Sequence, residues 1–164
     1  LSPYALNKLV GEEYCRTFSR VYNLETVCLR YFNVYGERQP IEGAYTLVMG
    51  AFAKQRLDGK PLTINGDGEQ RRDFTYVGDV VQANIAASES SEVGVGEAIN
   101  IGNGDNRSVN DIAKMIGGST INGPAVVEPR QTLADNSLAR DKLGWKPTMT
   151  LEDWMPSYKK SIGL

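Results

Sequence analysis

Asn23-Leu24-Glu25-Thr26-Val27-Cys28-Leu29-Arg30-Tyr31-Phe32-Asn33-Val34-Tyr35-Gly36 is the stretch that decides the fold class. Residues 25–32 are rich in β-formers, with Thr26, Val27, Cys28, Leu29 and Tyr31 leaving little polar alternation, as in a buried parallel strand. Tyr35-Gly36 ends the run, and 37–43 is a polar loop. Just upstream, Ser2-Pro3 is a helix start, with serine as cap and proline where a missing N–H costs nothing. Leu6, Leu9, Val10, Tyr14, Phe18 and Val21 then recur at helical spacing, which predicts a helix over 3–22. Beyond the loop, helices are expected over 46–57, 79–90, 108–116, 136–143 and 150–162. Strands are expected over 62–64, 72–77, 97–101 and 125–127. Such alternation argues for an α/β fold with a parallel sheet.

Composition narrows the chemistry. The chain has 164 residues, 41% of them hydrophobic and 23% charged, ordinary for a globular protein. A net charge of −2 with a pI near 5.3 argues against a nucleic-acid partner, which would demand a basic face. No apolar run approaches the length of a membrane span, so no membrane partner is expected. Cys15 and Cys28 show no CxxC spacing and read as buried, reduced thiols of a cytoplasmic protein. The absence of histidine removes Ser-His-Asp and Cys-His nucleophiles, His-ligated metal and imidazole acid–base chemistry together. Tyrosine, lysine and carboxylates remain to move protons.

Tyr4 and Lys8 stand four apart on one helix face, where a phenol and an ammonium can approach the same ligand. A neighbouring cation favours the phenolate, which is how a tyrosine becomes a usable base. The spacing alone is close to what composition supplies by chance. Read singly, Tyr31 and Phe32 are core aromatics, Arg72-Asp73 a local ion pair and Asn33 a turn residue. Trp145 reads as a packing anchor and Pro147 as a helix stop.

Four further stretches change that reading. Ser2-Pro3-Tyr4-Ala5-Leu6-Asn7-Lys8 is followed by Arg30-Tyr31-Phe32-Asn33-Val34-Tyr35-Gly36, then by Gly66-Asp67-Gly68-Glu69-Gln70-Arg71-Arg72-Asp73-Phe74. Ile99-Asn100-Ile101-Gly102-Asn103-Gly104 and Leu143-Gly144-Trp145-Lys146-Pro147 complete the series. In order and spacing the whole chain resembles the carboxyl-terminal half of the extended short-chain dehydrogenase/reductases. Within these it is most similar to the NAD-dependent epimerase/dehydratase family, on its UDP-glucose 4-epimerase side.

The resemblance implies the end of a Rossmann-like NAD(P)-binding fold joined to a small α/β substrate-binding domain. Residues 1–40 would close the cofactor domain and 41–164 form the substrate domain, with 78–102 returning to the cofactor side. Tyr4 would be the acid/base on the sugar 4-hydroxyl, and Lys8 would hold the nicotinamide ribose. Tyr31 would lie by the nicotinamide carboxamide. Asn33 and Arg72 would bind the substrate diphosphate, and Thr63, Ile64 and Asn65 would hold the uracil. Asn65 stands where some members carry an aromatic residue. Glu128 would bind ribose, but Ala125-Val126-Val127 occupies the region where the family carries an arginine, and Arg130 lies after the carboxylate. The implied cofactor is NAD, the implied ligand a UDP-sugar and the implied assembly a homodimer.

The glycine-rich GxGxxG turn of a dinucleotide-binding fold is missing, since neither Gly94/Gly96 nor Gly102/Gly104 completes it. Leu1 is not an initiator methionine, and a helix begins almost at once, so a truncated and inactive portion is the expectation. A nucleotide-sugar 4,6-dehydratase and a non-catalytic, self-associating remnant are the alternative readings.

Overall fold

A computed structural model describes residues 2–43 and 46–164. Helix α1 (Pro3–Tyr22) starts where expected, with the Ser2 hydroxyl accepting the Ala5 N–H at 3.1 Å and Asn23 ending it in the left-handed region. Strands β1 (Thr26–Tyr31) and β2 (Val34–Tyr35) follow, then helix α2 (Val48–Leu57). Next come β3 (Leu62–Asn65), β4 (Arg71–Asp73), β5 (Thr75–Tyr76) and helix α3 (Val77–Glu89). Strands β6 (Val95–Ile101) and β7 (Asn106–Ser108) lead to α4 (Val109–Ile116), whose Ser108 and Asp111 form a reciprocal capping box. Strand β8 (Thr120–Gly123) and helices α5 (Ser137–Leu143) and α6 (Leu151–Ser161) complete the chain.

The α/β class holds, with pairing in four separate ladders among the described residues. β1–β6, β2–β5 and β3–β8 run parallel, and β4–β7 antiparallel. Two apolar cores lie beneath them. One gathers Tyr35, Met49, Phe52, Leu62, Ile112 and Trp154 from β2, α2, β3, α4 and α6. The other gathers Val80, Ala83, Ile99, Ile101, Ala139 and Trp145 from α3, β6, α5 and the segment after it, with Val27 and Leu29 of β1 against it.

Three expectations are corrected. The apolar triplet 125–127 is not a strand; β8 lies before it and pairs with β3. Pro124 and Pro129 bracket the triplet and cannot donate to a ladder, so its β propensity finds no partner. Helix α3 opens at Val77, and Asp79 is buried inside its first turn without capping it. The Asp79 carboxylate accepts the Thr148 hydroxyl at 2.6 Å and the N–H groups of Thr148 and Met149 at 3.0 and 3.2 Å. Trp145 is the packing anchor expected, its indole N–H donating to the Asp79 carbonyl at 2.8 Å. The third correction concerns Cys15 and Cys28, which are free and only half-buried. Burial, and then the adjacent Cys15 thiol, push Cys28 up to about 11, so it stays protonated at neutral pH.

The half-burial of those thiols follows from how α1 docks. Its covered side is polar and small. Ser19 donates to the Gly94 carbonyl at 2.9 Å, and Thr26 of β1 donates to the Cys15 carbonyl at 3.0 Å. Arg30 grips Glu12 with two bonds of 2.6 Å, and this guanidinium holds the Glu12 carboxyl below its ordinary range. Gly96, at φ +83°, lets β6 approach the helix; a Cβ there would fall 2.6 Å from the Arg16 Cα. Leu6, Leu9, Val10, Tyr14, Phe18 and Val21 all face outward and are exposed.

Candidate functional site

The largest collection of polar side chains anticipated as ligand-binding meets in a cleft of about 320 Å³. Asn33 reaches it from the turn between β1 and β2, at φ 30°, a conformation asparagine tolerates better than most residues. Its Nδ2 donates to the Asp73 carbonyl at 2.9 Å, and its own carbonyl accepts the Thr75 N–H at 3.3 Å. The turn is thus tied to β4 and β5 before any ligand is considered.

Strand β3 alternates as the pleat requires. Leu62 and Ile64 enter the first core, while Thr63 and Asn65 face the cleft. Gln55 of α2 clamps Thr63, accepting its N–H at 3.0 Å and donating to its hydroxyl at 3.2 Å. Ile64, buried in the first core and paired with Asn122 of β8, is not among the residues that line the cleft.

Arg72 projects from β4 and pairs with Glu128, which arrives from the irregular segment after β8. Arg72 also donates to the Arg71 carbonyl at 2.8 Å. The adjacent Asp73 is not its partner. That carboxylate turns inward at 0% exposure and accepts N–H groups from Asn103, Gly104 and Ala134 at 2.8, 3.0 and 3.0 Å. Burial pushes the Asp73 carboxyl up, and the three donors pull against that shift. Sequence neighbours on a strand point to opposite faces, so the local ion pair was geometrically excluded.

Gln70 is the residue that sequence reasoning missed. It is 8% exposed, and its Nε2 donates both to the Asn65 carbonyl at 3.1 Å and to Glu128 at 3.3 Å. It thereby joins the end of β3 to the cleft carboxylate. Only its place inside the Gly66–Arg72 motif hinted at a role. A neighbouring hollow of about 220 Å³ continues the cleft past Asn65 to Arg130, which pairs with Asp67 at 2.8 Å.

Asn33, Thr63, Asn65, Arg72 and Glu128 thus line one cleft. Tyr4, Lys8 and Tyr31 do not. Tyr4 is 72% exposed on the first turn of α1, with the Lys8 ammonium 5.4 Å from its ring centroid, so the pair shares a face as the spacing predicts. Tyr31 is not a core aromatic; it is exposed, and its hydroxyl donates to Asn84 of α3 at 2.9 Å. Among the described residues no cluster of His, Cys, Asp or Glu could hold a metal, and no helix is long and apolar enough to cross a membrane.

The model of the NAD dependent epimerase/dehydratase family matches residues 1–102. The chain belongs to that family. A Methanocaldococcus jannaschii protein provisionally named UDP-glucose 4-epimerase is 40% identical over 160 residues, 93% of this chain and 50% of that protein. UDP-glucose 4-epimerase of Mycolicibacterium smegmatis is 33% identical over 93% of this chain and 50% of its own length. Among solved structures, Thermotoga maritima UDP-glucose 4-epimerase with UDP-glucose superposes at TM-score 0.88 and 36% identity. That match covers 99% of this chain and 55% of that one. The chain spans about half the length of the relatives it matches.

As a family of NAD-dependent enzymes, the epimerase/dehydratases imply a dinucleotide site. The residues present suit one end of that group. Tyr4 and Lys8 leave a hydroxyl and an ammonium open on one face of α1, and Tyr31 stands exposed at the end of β1. The glycines that could have cradled a pyrophosphate are spent on packing: Gly96 on α1, and Gly102 on Ala134, where an added Cβ would fall 2.3 Å from the alanine Cβ.

Proposed function

We propose that this chain carries the UDP-sugar cleft and the acid/base pair of a nucleotide-sugar 4-epimerase. The observation that supports it most is the meeting of Asn33, Thr63, Asn65, Arg72 and Glu128 in one cleft, although they come from four separate segments between residues 33 and 128. Arg72 and Asn33 supply donors for a diphosphate, with the guanidinium able to bind two oxygens at once. The edge of β3 at Thr63–Asn65 offers main-chain groups to a uracil, and Glu128 accepts hydroxyls. Bound NAD would supply the acceptor and donor of the hydride exchanged at the sugar C4. Tyr4 takes the proton of the 4-hydroxyl and later restores it, and Lys8 on the same helix face would hold the nicotinamide ribose. The intermediate sugar is a 4-ketone that turns over before reduction.

Residues up to about 40, together with 78–102, belong on this reading to the cofactor side, which the parallel β1–β6 pairing supports. The remaining residues of 41–164 form the substrate side around the first core. Calorimetric titration of the 164-residue chain tests the assignment. UDP and UDP-glucose are expected to bind, while NAD binds more weakly than micromolar because a pyrophosphate cradle is not built from these residues. Absence of UDP binding would sink the cleft assignment, and sub-micromolar NAD affinity would sink the account of the cofactor site.

The reading extends to assembly in the cytoplasm as a homodimer. The outward arc of α1, with Leu6, Val10, Tyr14, Phe18 and Val21 all exposed, spans about 120°, the kind of stripe an amphipathic helix ordinarily buries. Exposed apolar surface of that kind marks an interface. Sedimentation equilibrium is expected to show concentration-dependent association, weakened in Tyr14→Ser/Phe18→Ser. A strictly monomeric wild-type chain at tens of micromolar, on the order of ordinary transient affinities, would contradict it.

A further inference from the structure

Arg72 and Glu128 are the only charged side chains among the described residues that line the main cleft, and they are bound to each other. The segment that carries Glu128 is fastened at both ends. Gly66 donates to the Gly123 carbonyl at 3.0 Å, and Arg71 donates to the Arg130 carbonyl at 2.9 Å. Between these ties lie Pro124 and Pro129, with no regular pairing along 124–129. Val127 stands fully in solvent. Between its two ends the strap is held by the Glu128 carboxylate, through Arg72 on one oxygen and Gln70 on the other.

Resting on the nucleotide-sugar reading above, we propose that Glu128 is a tethered competitor for Arg72, displaced when a nucleoside diphosphate enters. The cleft neutralises itself until then. The incoming diphosphate takes the guanidinium, and the released carboxylate keeps its bond from Gln70 and turns to accept hydroxyls of the same ligand. An anion lacking hydroxyl donors that takes Arg72 offers the displaced Glu128 carboxylate, whose side chain is 34% exposed, nothing in exchange for the lost guanidinium. The exchange makes Glu128 a specificity-determining residue. It selects against phosphate and pyrophosphate, and for an anion joined to a sugar.

The test is calorimetric titration of the wild-type chain, Glu128→Gln and Arg72→Ala with UDP and with inorganic pyrophosphate. Thermal melts establish that each variant is folded. Glu128→Gln is expected to bind pyrophosphate about tenfold more tightly than wild type, a typical size for removing one close competing charge. The preference for UDP over pyrophosphate is expected to fall by at least about the same factor. Glu128→Asp, whose carboxylate is one methylene short of Arg72, carries the same expectation should Glu128→Gln melt early. Pyrophosphate binding that is unchanged, weaker or undetectable in folded variants, with UDP binding still dependent on Arg72, overturns this inference alone. Failure of UDP to bind the wild-type chain overturns the nucleotide-sugar reading and this inference with it.

Discussion

Replacing Asp73 with alanine is expected to lower the melting temperature of the chain by roughly 6–12 °C. The carboxylate is wholly buried and accepts three backbone N–H groups, from Asn103 and Gly104 after β6 and from Ala134 before α5. Alanine leaves all three donors without a partner in a site water does not reach. Each orphaned buried donor costs about 1 kcal/mol or more, or about 3 kcal/mol together. A protein of this size loses roughly 2–4 °C per kcal/mol. Asparagine keeps one acceptor but turns an amide N–H₂ toward donors, so Asp73→Asn is expected to recover only part of the loss. Circular dichroism melts decide it, and a shift within about 1 °C, the size of a neutral surface change, would contradict the account.

Arg72→Ala is expected to weaken UDP and UDP-glucose binding at least about 100-fold, the scale on which a partly buried charge pair to a ligand is lost. Arg72→Lys is expected to recover only a minor share, since an ammonium cannot offer a fork of parallel N–H donors to two phosphate oxygens. The same calorimetric titration measures both. Equal affinity in wild type and Arg72→Ala would remove the guanidinium from the binding reading. Its side chain is 16% exposed, so ligand approach comes from one side and desolvation strengthens the contact.

The two predictions bear on adjacent residues with opposite tasks. Arg72 and Asp73 lie side by side in a motif that sequence alone marks as important. The strand pleat sends Arg72 to the cleft with Glu128 and Asp73 into the loop beyond β6. Asp79, six residues on, repeats the structural role by fastening α3 to Thr148 and Met149. The stretch from Gly66 to Asp79 thus contains two polar side chains at the cleft, Gln70 and Arg72, and two carboxylates, Asp73 and Asp79, that organise backbone.

Local rules were sufficient for much of the architecture. Ser2-Pro3 set the start of α1, Ser108 and Asp111 that of α4, and Thr150 that of α6, because caps satisfy donors within one turn. The run 25–32 became β1 because its β-formers suit an extended chain, but the expected burial on both faces fails: no residue of β1 is buried, and Arg30 and Tyr31 are exposed. The placement of Tyr4 and Lys8 on one helix face followed from helical geometry. Tertiary structure alone decided the rest. That 120–123 rather than 125–127 would pair with β3 depended on which segment the folded chain lays along that edge. Gln70 acquired its place by joining Asn65 to Glu128, residues 63 positions apart that no spacing connects. The pairing of Glu128 with Arg72, and the outward turn of the apolar side of α1, likewise come from long-range closure. Hydrogen bonds between near neighbours are encoded in short words of sequence, whereas contacts across the cleft exist only once both cores have formed.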